Sequence, residues 1–274
     1  MISAVAARRR YVAICALTWL PAGLGMPAFV LLMLERGLDV VTIGTVFATY
    51  GIVTVVMELP TGGLADVVGR RAVLLASAAL TMVSLTALAF ATTAAQFLAL
   101  SVAKGIARAL SSGPAEAWYV DAVHHADQQA DQQADRPADL RAGLSRGSAA
   151  GSAALAMGTL AGGGIPLVVP ASWPISALAV PMLCAAVAAA TLFAVVVLWM
   201  REPTPRQSRP RPRAVLLAVP ATILAGARLG VRSRTLGRLL AGAVALGVAL
   251  NAIEMLTPGR LAALTGGAET GSAS

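Results

Sequence analysis

Lys104 and Arg108 lie four positions apart in an otherwise apolar run. On an α-helix that spacing puts both side chains on one face, one turn apart. A charge at the centre of a lipid-facing helix costs about 2.5 to 3.5 kcal/mol on the insertion scale, so the pair must face a protein interior or a water-filled cavity. Arginine does not titrate in proteins, so Arg108 can hold an anion or tune a carboxylate but cannot carry a proton. Solute binding or coupling is therefore one reading of the pair. The other is structural pairing, with Glu58, Glu116 and Glu254 as counter-charges. Glu254 stands three residues after Asn251 near the end of its run, where solvation at headgroup level fits as well as coupling.

A second constellation is Gly62-Gly63-Leu64-Ala65-Asp66-Val67-Val68-Gly69-Arg70-Arg71. Glycines permit a sharp turn, Asp66 can accept from backbone N–H groups or an arginine, and Arg70 and Arg71 would hold the loop on the cytoplasmic face. Other reactive groups point to less. His124 and His125 are adjacent but lack metal-ligand spacing, so a solvated pair is expected. Cys15 and Cys184 sit in separate apolar runs, which excludes a disulfide framework or a Cys-rich metal site. HExxH and Cys/His clusters do not occur, so neither an enzyme nor a metal or other cofactor is expected.

The elements that position these groups follow from composition. Of 274 residues 57% are hydrophobic and 12% charged, and the mean hydropathy is +0.76. Ordinary soluble domains carry about 25% charged residues. A span needs about 20 apolar residues to cross a hydrocarbon core of about 30 Å. Seven runs meet this requirement, at 11–34, 43–59, 72–91, 95–119, 147–169, 175–200 and 236–256. Their length and lack of ten-residue alternation predict helices, not barrel strands.

With the N-terminus cytoplasmic, 17 of the 21 basic residues fall on the cytoplasmic side, nine of them between Arg201 and Arg238. Arg36 and Arg260 fall outside, and Lys104 and Arg108 lie within a span. Since Lys and Arg accumulate in cytoplasmic loops, this asymmetry sets the orientation and places the chain in the plasma or inner membrane. It also accounts for the net charge of +8 without nucleic acid as a partner, and the Arg-rich linker can touch anionic headgroups. A signal-peptide reading, with Met26-Pro27-Ala28 near the cleavage site, is less favoured because the first apolar run continues to Leu34.

Residues 126–141 repeat a four-residue unit with little apolar bulk and read as a flexible cytoplasmic loop. Residues 201–235 form an Arg/Pro-rich linker, in which the apolar stretch 214–227 is too short to cross and reads as an interfacial helix. Residues 236–274 hold the seventh span and a short outside tail. Pro21, Gly23, Gly25 and Pro27 around Trp19 predict a kinked first helix, with helix packing as the other use of the glycines. Gly158, Gly162, Gly163 and Gly164 have small-residue spacing on the fifth span.

The segment 62–71 resembles the signature loop of the major facilitator superfamily, G-x-L-a-D-r-x-G-r-r. Gly62, Leu64, Asp66, Gly69, Arg70 and Arg71 stand where the pattern places them, Val67 replaces a usually basic residue, and Glu58-Leu59-Pro60-Thr61 resembles one branch. The resemblance implies an all-α membrane protein: a six-helix N-terminal bundle over residues 1–200, plus one further transmembrane helix. It implies a gating latch in which Asp66 and Arg70 relay charge to an acid of the fourth helix, Asp121 in preference to Glu116. Arg108 is the nearest match to that helix's substrate-orienting arginine. Gly164-Ile165-Pro166 departs from the antiporter Gly-Pro, so antiport is not supported.

Members of the superfamily normally have twelve helices in two halves with solute held between them. The expectation is a secondary transporter of a small solute working by alternating access, incomplete as a single chain and completed by a C-terminal-half partner chain. The alternative is a non-transporting half-bundle or regulatory membrane protein that pairs with another chain. Its surroundings are the lipid bilayer in either case.

Overall fold

The computed structural model describes residues 4–130, 136–170 and 172–200, with Gly237, Arg238, Gly242 and Ala245 besides. The described residues form seven helices and no strand: α1 (Ala4–Glu35), α2 (Val40–Val68), α3 (Arg70–Phe90), α4 (Ala94–Ser111), α5 (Pro114–Ala130), α6 (Arg136–Val168) and α7 (Val180–Trp199). All but α4 and α5 contain a segment long and apolar enough to cross a membrane. The linker, the interfacial segment, the seventh span with Glu254, and the tail lie outside the described residues, the four positions above excepted.

The fourth sequence-predicted span, 95–119, is two helices. Gly113 separates α4 from α5 with φ +88°, a left-handed conformation that side chains rarely adopt. Pro114 enforces the break, since its ring disfavours helical geometry at the preceding residue while suiting the first position of a new helix. A Thr93–Gln96 capping box starts α4 at its other end.

The signature segment is not a loop either. Residues 62–68 continue α2, and the turn into α3 is Gly69 alone, with φ +111° and its N–H bonded to the Ala65 carbonyl at 3.2 Å. The repeat at 126–141 also differs from the flexible reading: 126–130 belong to α5 and 136–141 to α6. Ala, Gln and Arg are good helix formers, and extending an existing helix avoids the cost of a new nucleus.

α1 runs unbroken through Pro21 and Pro27. It packs chiefly on α6 and α7, α2 packs on α4, and α3 lies between α4 and α7. The α1–α6 approach is close because glycines form it. A Cβ at Gly158 would stand 3.0 Å from the Leu20 carbonyl and the Leu24 nitrogen, and one at Gly23 or Gly162 would collide with backbone of the opposite helix. The fold thus uses Gly23, Gly158 and Gly162 for packing, whereas a Cβ at Gly163 would make only ordinary contact with Pro27 and one at Gly164 would meet nothing.

Two apolar clusters hold the ends of the bundle. One joins Phe29, Phe47, Leu88, Phe97 and Met182; the other joins Tyr11, Leu74, Trp118, Tyr119 and Val196. Outward-facing Ile52 and Val55 on α2 and Leu160 and Leu167 on α6 are exposed, as suits side chains whose solvent is lipid.

Candidate functional site

Between the two clusters lies a cavity of about 270 Å³ whose wall comes from several helices. α4 contributes Lys104, Arg108 and Ser111, α1 contributes Trp19 and Phe29, and α2 contributes Tyr50. Three hydroxyls from neighbouring helices reach α4 carbonyls. Ser77 donates to Ala107 at 2.7 Å, Thr61 to Ala109 at 3.0 Å and Thr54 to Gly105 at 3.4 Å. Gly105 has no room for a side chain: a Cβ would sit 2.9 Å from Val53. This packing fixes the rotation of α4 and so the face that carries its two cations.

Each cation is seated on aromatic rings. The Lys104 Nζ lies 4.6 Å from the Phe29 ring centroid and 5.8 Å from that of Tyr50, and the Arg108 Cζ lies 4.4 Å from the Trp19 ring. Such contacts strengthen when desolvated. Arg108 Nη1 also donates to the Ser111 hydroxyl at 3.2 Å, which itself donates to the Arg108 carbonyl at 2.7 Å.

Trp19 in turn rests against α6 where Gly151 leaves space; a Cβ there would come within 2.7 Å of its Cδ1. Gly143 and Gly147, two turns and one turn earlier, receive Tyr119 and Tyr11, whose rings stack at 4.6 Å with 13° between their planes. Small residues every fourth position are a readable signal for a close helix contact. Their aromatic partners come from other helices, so the sequence does not show which rings these three glycines receive, and Phe29 and Tyr50 do not stand out in it.

Two of the acids proposed as counter-charges, Glu58 and Glu116, are placed elsewhere. Glu58 is exposed and accepts from the Ser112 hydroxyl at 2.9 Å, beside the α4–α5 break. Glu116 is exposed on the first turn of α5, where the helix dipole favours a negative charge. Among the described residues neither acid pairs with Arg108.

At one end of the bundle Arg70 forms an ion pair with Asp121 and also donates to the Ala117 carbonyl, joining the start of α3 to α5. Arg71 donates to the Val197 carbonyl at 2.8 Å and Arg10 to the Trp199 carbonyl at 2.8 Å. Both satisfy carbonyls in the last turn of α7, where cations are favoured. Leu64 is half-buried, while the side chain of Asp66 lies outside what the structure describes, as does that of His125; His124 is exposed.

The sequence matches the Major Facilitator Superfamily over residues 12–267. No curated protein matches it. Among solved structures, the crystal structure of the nucleoside transporter NupG, in a mutant form, is similar with a TM-score of 0.64 at 17% identity. The alignment covers 92% of this chain and 57% of that one, so this chain spans little more than half of that transporter's length. The chain belongs to the major facilitator superfamily, a family of multi-pass membrane transporters.

Proposed function

We propose that this chain forms the N-terminal wall of a secondary transporter that moves a small solute by alternating access, with a C-terminal-half partner chain supplying the opposite wall. The cavity carries this reading, because it brings polar and charged side chains of α1, α2 and α4 together inside an apolar bundle. Basic residues at the Arg8, Arg70 and Arg146 ends of the spans favour a cytoplasmic N-terminus in the plasma or inner membrane. Residues 1–200 are the transporting bundle in this reading, 201–235 a cytoplasmic linker and 236–274 a further span with its tail.

The contact of Arg70 with Asp121 supports a latch at the cytoplasmic end. Gly62, Leu64, Asp66, Gly69, Arg70 and Arg71 would form its moving part, and the other half would bind Asp66. Lys104 and Arg108 are the solute-binding or coupling residues; Glu58, Glu116 and Glu254 are acids against which coupling can be tested.

The test is uptake by proteoliposomes holding the chain alone or together with a six-helix C-terminal half, beginning with nucleosides because the fold neighbour transports them. Uptake only with both halves supports the proposal. Uptake by the chain alone overturns the need for a partner, and binding without movement in either case makes it a non-transporting half-bundle.

A further inference from the structure

We infer that a second cavity, at the end of the bundle opposite the Arg70–Asp121 pair, seats the headgroup of a zwitterionic membrane phospholipid, with its phosphate on Arg36 and its ammonium on Glu35. The inference rests on the membrane fold and not on the transport reading.

Placement is the first argument. The cavity has a volume of about 360 Å³, and Glu35, Arg36, Phe90, Trp173 and Ser176 are among the residues that line it. Small-molecule sites span about 300 to 1,000 Å³. The apolar spans Val5–Glu35 and Arg70–Phe90 finish at this cavity, and Val180–Trp199 begins three residues after Ala177, which also lines it. A site where spans end lies at headgroup level, the depth that suits a tryptophan such as Trp173. Phe90 and Trp173 are both exposed, as side chains that meet lipid are.

The charges are the second argument. Glu35 and Arg36 are neighbours in the chain, yet among the described residues no ion pair joins them and the Arg36 guanidinium has no acceptor, although its Nε is withdrawn from water. A donor left in that state is costly. Glu35 is held apart by the loop before α7, where the Ser176 hydroxyl donates to it at 2.7 Å and accepts the Leu178 N–H at 3.2 Å. The backbone of Arg36 is fixed as well. Gly37, with φ +79°, closes α1 in a Schellman turn, its N–H bonded to the Leu34 carbonyl at 2.9 Å and the Leu38 N–H to the Met33 carbonyl at 3.0 Å.

The cavity therefore presents one positive and one negative group on rigid backbone, each free of the other. A simple anion would satisfy Arg36 but meet repulsion from Glu35. A zwitterion answers both charges. Its phosphodiester can take two bonds from the guanidinium, while its ammonium meets the carboxylate and the Trp173 ring. Its acyl chains then run into the bilayer from the end of α3, past Phe90.

The experiment is thermal unfolding of the detergent-purified full chain with dihexanoyl phosphatidylethanolamine, against dihexanoyl phosphatidylglycerol, phosphoethanolamine and inorganic phosphate at equal concentration and ionic strength. A ligand that binds only the folded state raises the midpoint. Phosphatidylethanolamine should raise it most, phosphatidylglycerol, which has the phosphate without the ammonium, less, and the two water-soluble probes not at all. Arg36→Gln should weaken the phosphatidylethanolamine effect at least ~10-fold, as loss of a charge-assisted hydrogen bond does. Glu35→Gln keeps an acceptor for Ser176 and should erase the preference for phosphatidylethanolamine over phosphatidylglycerol, a change of selectivity that a merely structural role would not produce. The inference is overturned if neither lipid shifts the midpoint, if the wild type responds equally to both, or if Arg36→Gln, folded by circular dichroism, responds as the wild type does. Should Arg36→Gln not fold, the selectivity of Glu35→Gln decides, and an unchanged preference overturns the inference. A response to phosphoethanolamine equal to that of the lipid would make this a site for a free solute and overturn the lipid assignment. Failure of uptake by proteoliposomes would defeat the transport reading alone.

Discussion

The Arg108 Cζ lies over the Trp19 ring, 4.4 Å from its centroid, and Trp19 keeps that position because Gly151 of α6 has no side chain to displace it. Three helices thus set the position of one guanidinium. A methyl group at Gly151 would stand 2.7 Å from the Trp19 Cδ1, so the ring must shift. Gly151→Ala should destabilise the chain by about 1 to 3 kcal/mol in denaturant unfolding, the usual range for overpacking. Gly164→Ala on the same helix meets nothing within 4 Å and should be neutral or stabilising by up to ~1 kcal/mol from helix propensity.

The Arg70–Asp121 pair is partly open to solvent, its side chains 17% and 37% exposed, and its strength must be discounted accordingly. A double-mutant cycle with Arg70→Gln and Asp121→Asn should give a coupling of about 0.5 to 1 kcal/mol that falls as salt rises. In a complete transporter, Asp66→Asn should shift cysteine accessibility toward the inward-open state. Unchanged labelling on both faces would contradict a latch.

Gly69 joins α2 to α3 at φ +111°, where a side chain is strained whatever space surrounds it. Gly69→Ala should cost about 1 to 3 kcal/mol in the same unfolding assay. The damage should appear as loosening of Arg70 from Asp121, read as loss of the coupling above.

Asp39 caps α2 from outside the apolar segment, and its side chain accepts from the Thr42 hydroxyl and from the Thr42 backbone N–H at 3.3 Å. The Thr42 side-chain bond is the main cause holding its carboxyl below the usual range. A carboxyl depressed in the folded state stabilises fully above its unfolded pKa of about 3.9, and that contribution is lost as pH falls through the folded value. Asp39→Asn keeps a capping side chain without the titration. The stability gap between wild type and variant should therefore be constant from pH 7 to about 5 and close below about pH 4.

Much of this arrangement was legible because charge in an apolar run carries a large penalty. The four-residue spacing of Lys104 and Arg108 points to one buried face, and the cavity contains both. The partners were not legible: Trp19, Phe29 and Tyr50 lie 89, 75 and 54 residues from Arg108 or Lys104 in the chain, and nothing local brings them there. The break at Gly113-Pro114 had a plain local signal that a hydropathy window averages away. Helix at both ends of the 126–141 repeat follows from propensity and continuation, whereas the lack of apolar bulk argued for a loop.

The central claim is that these helices cross lipid and enclose a water-accessible path. In a chain with Cys15 and Cys184 replaced by alanine, single cysteines at Thr81, which lines the cavity, and at Val83, which faces outward with 57% exposure, separate inside from outside. A membrane-impermeant, water-soluble thiol reagent applied to proteoliposomes opened to it on both sides should label Thr81→Cys and spare Val83→Cys. Equal labelling of both, or labelling of Val83→Cys alone, would contradict the account.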